Sequence, residues 1–287
     1  MHARSLWLSL SLFLLLPACS PDAPLLPAAT ATVAATPTIP NPSPLIATSS
    51  PAPTATPVPL DSGWQQLQPG LEQRTLNVVE DGNWQESLTV LRLDPERFHF
   101  DVAYRPGLPQ SLATWQAETG ALLVVNGGFY TERYEATGLI VSDGIARGHS
   151  YDGFGGMFVV TDEGPELRSL QAQPYNPTEE FQAGLQSFPM LVKPGGSLGF
   201  PEEDGQQARR TVVAQDTAGR LLFLVAPRGH FTLHQLSRYL VASDLELDVA
   251  LNLDGGPSTG LLLRQPPLFV PAFVPLPAVI TVVEKQD

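Results

Sequence analysis

The chain has 287 residues, a formal net charge of −13, 29 prolines and a single cysteine. This length fits one large domain or two small ones, and a domain of more than about 200 residues buries enough surface to fold without covalent cross-links. The negative charge excludes a general nucleic-acid binder, which needs a basic face to neutralise phosphates. The single cysteine excludes a disulfide framework and a zinc site built on cysteines.

The first twenty residues have the pattern of a targeting signal. An apolar run over residues 6–16 follows a basic start, and it is too short to span a bilayer but typical of a signal peptide. The run ends in Leu16-Pro17-Ala18-Cys19, which resembles a bacterial lipobox. We therefore predict a lipoprotein signal peptide over residues 1–19, acylation of Cys19 and an extracytoplasmic protein anchored to the cell membrane. The alternative is an ordinary secretory signal peptide with a coincidental cysteine.

Residues 20–60 are rich in Pro, Ala, Thr and Ser, and Asp22 is their only charged residue. Such a segment lacks the apolar pattern of a core and has enough proline to stay extended. We predict a disordered stalk here and a single folded domain over residues 61–287. Because the charges of Arg4 and Asp22 cancel, the domain carries the whole net charge, so the lipid anchor is its only expected membrane contact.

The folded part reads as many short strands and few helices. Ser111 is predicted to cap a helix that ends at Gly120. A capping box at Thr232 and Gln235 predicts the start of a later helix, and residues 177–186 are predicted to form a short helix. These elements predict an α+β fold with a mixed, largely antiparallel sheet. The predicted strands cover residues 86–93, 97–104, 121–125, 138–141, 145–147, 157–161, 210–215, 221–226 and 248–253.

Two segments share one design, in which an apolar strand is followed by one polar residue and two glycines. They are Asn126-Gly127-Gly128 and Asp254-Gly255-Gly256. Paired glycines allow a sharp turn and a close ligand approach, and consecutive N–H groups form anion-binding concavities. Asp254 would then lie beside an anion, where its pKa is open to tuning. The alternative is a plain turn in which Asn126 and Asp254 bond their own backbone.

Arg210 and Thr211 open another apolar strand. An arginine in this position is either a solvated or ion-paired strand end or a phosphate clamp, because the guanidinium matches phosphate oxygens in a bidentate way. His230 and His234 are four residues apart, but the predicted helix begins between them, so they would not share a helical face. We predict no metal site and no cofactor.

Together these segments resemble the phosphodiester glycosidase family. The matching blocks are residues 126–130 (NGGFY), 186–192 (QSFPMLV), 210–211 (RT) and 252–259 (NLDGGPST), in family order. They cover roughly residues 120–260, most of the predicted domain. The chain departs from the family at Pro257, which replaces a glycine and lacks an N–H donor.

This resemblance implies hydrolysis of a sugar-1-phosphodiester in an envelope or extracellular glycan. For this reaction Asp254 would act as base or nucleophile, and Arg210, helped by the backbone N–H groups after Asn126, would stabilise the phosphate. The side chains of Asn126, Asn252 and Ser258 could bind sugar hydroxyls or the phosphate. A non-catalytic lipoprotein that binds an anionic glycan or supports envelope assembly is the alternative, which Pro257 favours. The other expected substrate contacts are Gly127, Gly128, Thr211, Asn252, Gly255, Gly256 and Ser258.

Overall fold

The computed structural model describes residues 59–286, so the predicted signal peptide with Cys19 and nearly all of the predicted stalk lie outside the described residues. The first half of this part contains β1 (Gln65–Gln68), β2 (Leu71–Glu80), β3 (Asn83–Leu93), β4 (Phe98–Tyr104), α1 (Leu112–Thr119), β5 (Leu123–Asn126), β6 (Ile140–Ser142), β7 (Ile145–Arg147), β8 (Gly156–Thr161) and β9 (Gly164–Ser169). The second half contains β10 (Ala183–Ser187), β11 (Met190–Lys193), β12 (Ser197–Leu198), β13 (Arg210–Asp216), β14 (Leu221–Ala226), α2 (Leu233–Ala242), β15 (Leu247–Asn252), β16 (Leu261–Leu263), β17 (Leu268–Val270) and β18 (Ala278–Glu284).

The strands form three sheets, and the paired strands run antiparallel. The largest has the order β1-β2-β3-β14-β13-β15-β11-β12. The other two have the orders β7-β6-β10-β8-β9 and β17-β16-β5-β18-β4. Antiparallel neighbours joined by short turns explain why the sequence shows so many hairpin signals.

One apolar core is shared by the three sheets. Phe223 from the first sheet, Phe158 from the second and Ile280 from the third belong to the same cluster, and each is 0% exposed. A second cluster fills the other face of the eight-stranded sheet, where Leu236 and Leu240 of α2 pack on that sheet. The shared core holds the strand ends of different sheets in fixed relative positions.

The fold is largely β rather than clearly α+β, whereas the predicted antiparallel character of the strands is confirmed. The two helices in the described part have only 8 and 10 residues, and residues 177–186 are not a helix but a turn followed by β10. Gly184 lies in the middle of β10, where an added Cβ would lie 2.9 Å from Met157 Cε and 3.0 Å from the carbonyl oxygen of Phe158. A glycine there allows β8 and β10 to approach closely, whereas it would weaken a helix.

The predicted helix caps are confirmed. The Ser111 hydroxyl accepts a hydrogen bond from the Thr114 N–H at 3.0 Å, and Gly120 ends α1 with a φ of 70°. Thr232 and Gln235 form the reciprocal bonds of a capping box at the start of α2. Within residues 59–286, neither helix has the length and apolar character needed to cross a membrane.

The topology brings three strand ends together. β15 runs antiparallel to β13, with Asn252 opposite Val212, so the end of β15 lies beside the start of β13. The end of β5, in another sheet, reaches the same place, because the Asp254 N–H donates to the Gly127 carbonyl at 3.1 Å. The two Gly-Gly segments and the Arg210-Thr211 pair therefore meet at one edge.

Candidate functional site

Asn126 connects the three strand ends. Its Nδ2 donates to the carbonyl oxygens of Asp254 at 2.8 Å and Gly127 at 3.2 Å. Its Oδ1 accepts hydrogen bonds from the Thr211 hydroxyl at 2.8 Å and the Gly260 N–H at 3.0 Å. The side chain is 0% exposed, and these four bonds use its whole hydrogen-bonding capacity. The structure therefore places Asn126 beneath Asp254 with its amide fully bonded within the protein, an arrangement that favours a positioning role over the expected catalytic one.

Asp254 lies at the end of β15 with a half-buried carboxylate. Burial raises the pKa of this carboxyl above its ordinary value of 3.8, and the Ser258 hydroxyl and the Gly255 N–H oppose the increase. The Gly255 N–H donates to Asp254 Oδ1 at 2.9 Å. Within residues 59–286, no basic side chain forms an ion pair with Asp254. A carboxylate with little solvation and no cation in contact is suited to accept a proton or to attack a carbon atom.

Tyr130 extends the polar contacts of Asp254. The Tyr130 hydroxyl lies 3.0 Å from Ser258 Oγ, and Ser258 is 3% exposed. Burial raises the pKa of the Tyr130 phenol, the Ser258 hydrogen bond opposes this, and the negative charge of Asp254 adds to it. Sequence reasoning assigned Tyr130 no role, although it has the only ionisable side chain in the block 126–130.

Arg210 lies next to the Asp254 loop but makes no ion pair with Asp254. Its Nε donates to the Phe231 carbonyl at 3.2 Å and its Nη2 to the Gln206 carbonyl at 2.6 Å. A Cβ added at Gly255 would lie 4.0 Å from Arg210 Cδ. Burial lowers the pKa of Arg210, and no carboxylate of residues 59–286 lies within 4.0 Å of it. Two of its donors thus fix the local backbone, and its charge has no contacting counter-ion.

Arg209 adds a second guanidinium behind the same loop. It stacks on Phe273 at 4.0 Å from the ring centroid, and its Nε and Nη2 donate to the carbonyls of Pro227 and Pro271 at 3.0 and 2.8 Å. Its Nη1 is buried without a hydrogen-bond acceptor in the described part of the chain. Within residues 59–286, neither arginine has a carboxylate in contact with its guanidinium group, so both groups can bind an anion that approaches them. Sequence reasoning noted the pair but assigned a role only to Arg210.

Three of the four site glycines serve the packing of the loops. A Cβ at Gly127 would lie 2.9 Å from the Ala278 carbonyl oxygen, one at Gly128 would lie 2.8 Å from that of Gln186, and one at Gly255 would lie 2.7 Å from that of Arg209. Protein backbone, and not open space for a ligand, occupies these positions. This explains Gly127, Gly128 and Gly255 structurally, whereas a Cβ added at Gly256 would meet no atom of the described residues within 4 Å.

Three N–H groups of the predicted anion concavity have acceptors within the chain. The N–H groups of Gly127 and Gly256 donate to the carbonyls of Ala278 and Arg209 at 3.0 and 2.8 Å, and that of Gly255 donates to its neighbouring aspartate. These three N–H groups are therefore already used within the protein, and an anion at this edge would rely largely on side chains such as the arginines.

Two further predicted contacts are buried under the site. Thr211 is 0% exposed and Asn252 is 2% exposed. Asn252 Nδ2 donates to the Phe188 carbonyl at 2.9 Å, and its Oδ1 has no partner among residues 59–286. Both side chains hold neighbouring segments in place beneath Asp254.

Glu86, which sequence reasoning missed, positions the loop that holds both arginines. It is 0% exposed, and it accepts the N–H groups of Arg228, Gly229 and His230 at 3.1, 3.0 and 3.2 Å. The same loop supplies the carbonyls that bind Arg209 and Arg210. The only available signal was that Glu86, a charged residue, alternates along β3 with the buried residues Leu88 and Val90 and so faces the same side of the sheet.

Within the described range, no three His, Cys, Asp or Glu residues are placed to hold a metal ion.

A sizeable cavity lies away from Asp254. It has a volume of about 850 Å³ and is lined by acidic residues that include Asp101, Asp143 and Glu163. Burial raises the pKa of Asp101, and the charge of Asp143 adds to the increase. These carboxylates would repel an anionic substrate, so chemistry, and not cavity size, locates the candidate site at Asp254.

Similar folds occur in three solved structures. The catalytic domain of zebrafish N-acetylglucosamine-1-phosphodiester alpha-N-acetylglucosaminidase, auto-inhibited by its pro-peptide, has a TM-score of 0.60 and 18% identity over 77% of this chain and 86% of that chain. A hypothetical protein from Synechocystis has a TM-score of 0.54 and 14% identity over 76% and 62%. A protein of Burkholderia pseudomallei that is named as exported has a TM-score of 0.51 and 11% identity over 69% and 74%.

At these identities the structures show the fold alone, and no functionally curated protein sequence matches the chain significantly. The sequence model of one family, described as phosphodiester glycosidase, matches residues 119–282. The match covers more than half of the chain and includes the ends of β5 and β15, both arginines and the loop that follows Asp254. The chain therefore belongs to the phosphodiester glycosidase family.

Proposed function

We propose that this protein hydrolyses a sugar-1-phosphodiester of an envelope or extracellular glycan, with Asp254 as the base or nucleophile. One observation carries the proposal. The carboxylate of Asp254 is half-buried, has a raised pKa and makes no ion pair in the described part of the chain. Desolvation of this kind makes a carboxylate a better base than an exposed aspartate.

The chemistry of the substrate fits the groups around Asp254. A phosphomonoester is a weakly basic leaving group, so it depends less on protonation than the alcohol released by an ordinary glycosidase. Stabilisation of the phosphate charge is still needed, and the guanidinium groups of Arg209 and Arg210, which form no ion pair among the described residues, can supply it. The Tyr130 and Ser258 hydroxyls are placed to orient Asp254 or a sugar hydroxyl.

A non-catalytic anionic-glycan binder is the second candidate. It is favoured by Pro257, which offers no N–H, and by the backbone N–H groups of Gly255 and Gly256, which already have acceptors in the protein. Incubation of the full chain with a panel of sugar-1-phosphodiesters separates the candidates. We expect equimolar release of free sugar and phosphomonoester from at least one phosphodiester of the panel. Binding without turnover across the panel would favour the binder.

Replacement of Arg210 tests the phosphate role. We expect Arg210→Lys to lower the rate of hydrolysis about a hundredfold, because lysine keeps the charge but loses the planar fork. The free energy of unfolding should fall by only about 1 kcal/mol, since a lysine can keep at most one of the two bonds to the Phe231 and Gln206 carbonyls. Steady-state kinetics and thermal unfolding of the same samples measure the two effects.

The matched control is Arg220→Lys. Arg220 pairs with Asp216 at 2.7 Å in the hairpin between β13 and β14, at the opposite end of β13 from Arg210. This variant should keep its rate of hydrolysis. A full rate in Arg210→Lys would return Arg210 to a purely structural role at the start of the strand.

The proposed lipid anchor has its own test. We expect Cys19→Ser to move the protein from the membrane fraction to the soluble fraction without changing the hydrolysis rate, because acylation requires the thiol. Fractionation and mass spectrometry of the mature protein measure this. An unacylated Cys19 in the wild-type protein would contradict the anchor and favour a secretory signal peptide.

A further inference from the structure

Four aromatic side chains form a continuous surface next to the Asp254 loop, which we call the aromatic patch: Phe129, Tyr151, Phe154 and Phe188. The rings of Phe129 and Phe188 stack with centroids 4.5 Å apart. Tyr151 meets Phe188 edge-on at 5.4 Å and lies 4.9 Å from Phe154. Phe154 is 49% exposed. The other three rings are half-buried, so the patch presents one exposed ring backed by three packed ones, and aromatic faces of this kind suit contact with an apolar ligand face.

The patch is continuous with the site through two backbone contacts. The backbone carbonyl oxygen of Phe188 accepts a hydrogen bond from Asn252 Nδ2 at 2.9 Å. Asn252 lies two residues before Asp254. Phe129 directly follows Gly128, and the adjacent Gly127 carbonyl accepts the Asp254 N–H at 3.1 Å. The side chain of Arg210 and the backbone carbonyl of Arg209, by contrast, lie close to Gly255 of the same loop.

The loop that carries Phe154 is fixed to the protein. Gln186 Oε1 accepts the Tyr151 N–H at 2.8 Å, and its Nε2 donates to the Ser150 hydroxyl at 2.8 Å. A Cβ at Gly155 would lie 2.5 Å from the Ser187 carbonyl oxygen, so the loop lies directly on the end of β10. Phe154 is therefore presented outward by an anchored loop, and such pre-organisation reduces the entropic cost of binding.

The electrostatics of the two surfaces differ. The faces of aromatic rings carry negative potential, so they repel a phosphate and accept the C–H groups of an apolar ligand face. The guanidinium groups of Arg209 and Arg210 attract the phosphate. A sugar ring combines an apolar C–H face with hydroxyl groups at its edge. The rim of the patch offers polar partners for such an edge, because the Tyr151 hydroxyl and Thr137 Oγ1 lie 2.7 Å apart there and Thr137 is exposed.

From this arrangement we propose that the aromatic patch binds the sugar ring of the substrate, with Phe154 as its outer wall, and that the phosphate lies towards the arginines. The inference rests on the proposed function, since it orients the substrate of that same site. It adds Phe154 as a residue that determines affinity for the glycosyl group without touching the reacting atoms.

Kinetics of Phe154→Ala test the inference. For the sugar-1-phosphodiester that the wild-type protein hydrolyses best, we expect KM to rise about tenfold and kcat to change much less, because one aromatic contact is lost. Phe269→Ala is the matched control: Phe269 is 60% exposed on β17 and contacts none of the four rings of the patch. Its kinetics should equal those of the wild type.

Direct binding separates this inference from the proposed function. The full chain and its Phe154→Ala variant are titrated calorimetrically with the methyl glycosides and the 1-phosphates of glucose, galactose, mannose and N-acetylglucosamine. We expect Phe154→Ala to weaken binding of a neutral glycoside and of its 1-phosphate by the same factor. If this is observed while no phosphodiester is hydrolysed, the proposed function fails and the sugar site stands.

Three outcomes overturn the sugar site. One is unchanged binding of every sugar in Phe154→Ala. Another is the failure of the wild-type protein to bind any member of the panel at about 10 mM. The third is Phe154-dependent binding of decyl phosphate in place of sugars, which would identify an alkyl chain as the occupant of the aromatic patch.

Discussion

Asp254→Asn is expected to lower turnover of a sugar-1-phosphodiester by about 1,000-fold or more, since an amide can act neither as base nor as nucleophile. Substrate binding should persist or tighten, because one negative charge near the phosphate is removed. Single-turnover kinetics and calorimetric titration of the same preparation measure both quantities. Activity retained in this variant would show that Asp254 only forms a turn after β15.

Thermal unfolding of Asp254→Asn distinguishes lost chemistry from lost structure. Because burial raises the Asp254 pKa above 3.8 in the folded state, ionisation of this carboxyl opposes folding. That cost is absent below the unfolded pKa and grows as the pH rises through the folded pKa. The amide variant escapes the cost and can still accept the Gly255 N–H. Its stability relative to the wild type should therefore be higher at pH 7 than at pH 3.

The same pKa shift predicts the pH dependence of the reaction. If Asp254 acts in its ionised form, the acidic limb of the kcat/KM profile of the wild-type protein lies above pH 3.8. Asp248→Asn is the matched control, since Asp248 lies in the same strand and accepts the Gly195 N–H at 2.9 Å. That variant should keep both the turnover and the position of this limb.

The local elements of the fold could be predicted where one short signal determines them. The cap at Ser111, the capping box at Thr232 and the hairpin between β13 and β14 depend on neighbouring residues and were found. β10 was misread as a helix because its turn-forming start and buried glycine depend on packing against β8. The short strands β16 and β17 were missed, since three apolar residues have no detectable period.

The meeting of the candidate residues was predictable, but the contacts of each residue were not. Strand ends followed by Gly-Gly predicted a shared edge, and the structure brings both segments together with Asp254. The sequence cannot show that an internal partner already satisfies a polar group, as Thr211 and Gly260 satisfy the amide of Asn126. Nor could it show that Glu86, 142 residues before Arg228, holds the loop beside the arginines. Both facts depend on contacts between distant segments.

Asn126→Ala is expected to give the largest loss of stability. The substitution leaves the Thr211 hydroxyl, the Gly260 N–H and the Asp254 carbonyl without their partner, and each unsatisfied buried group costs about 1–3 kcal/mol. Partial relaxation and water entry reduce the sum, so we expect the free energy of unfolding to fall by about 3–5 kcal/mol. For a domain of this size the thermal midpoint should fall by roughly 10 °C.

The control for this loss is Asn83→Ala, because Asn83 is exposed and its side chain makes one long bond of 3.4 Å to the Asp81 carbonyl. Its midpoint should equal that of the wild type. Asn126→Ala should also lower turnover even where it is fully folded, since Asn126 connects the backbone of Asp254 to β5 and β13. Loss of a positioning residue should lower the thermal midpoint and the turnover of the protein together. If the midpoint stays unchanged while turnover falls, the amide of Asn126 acts on the substrate directly.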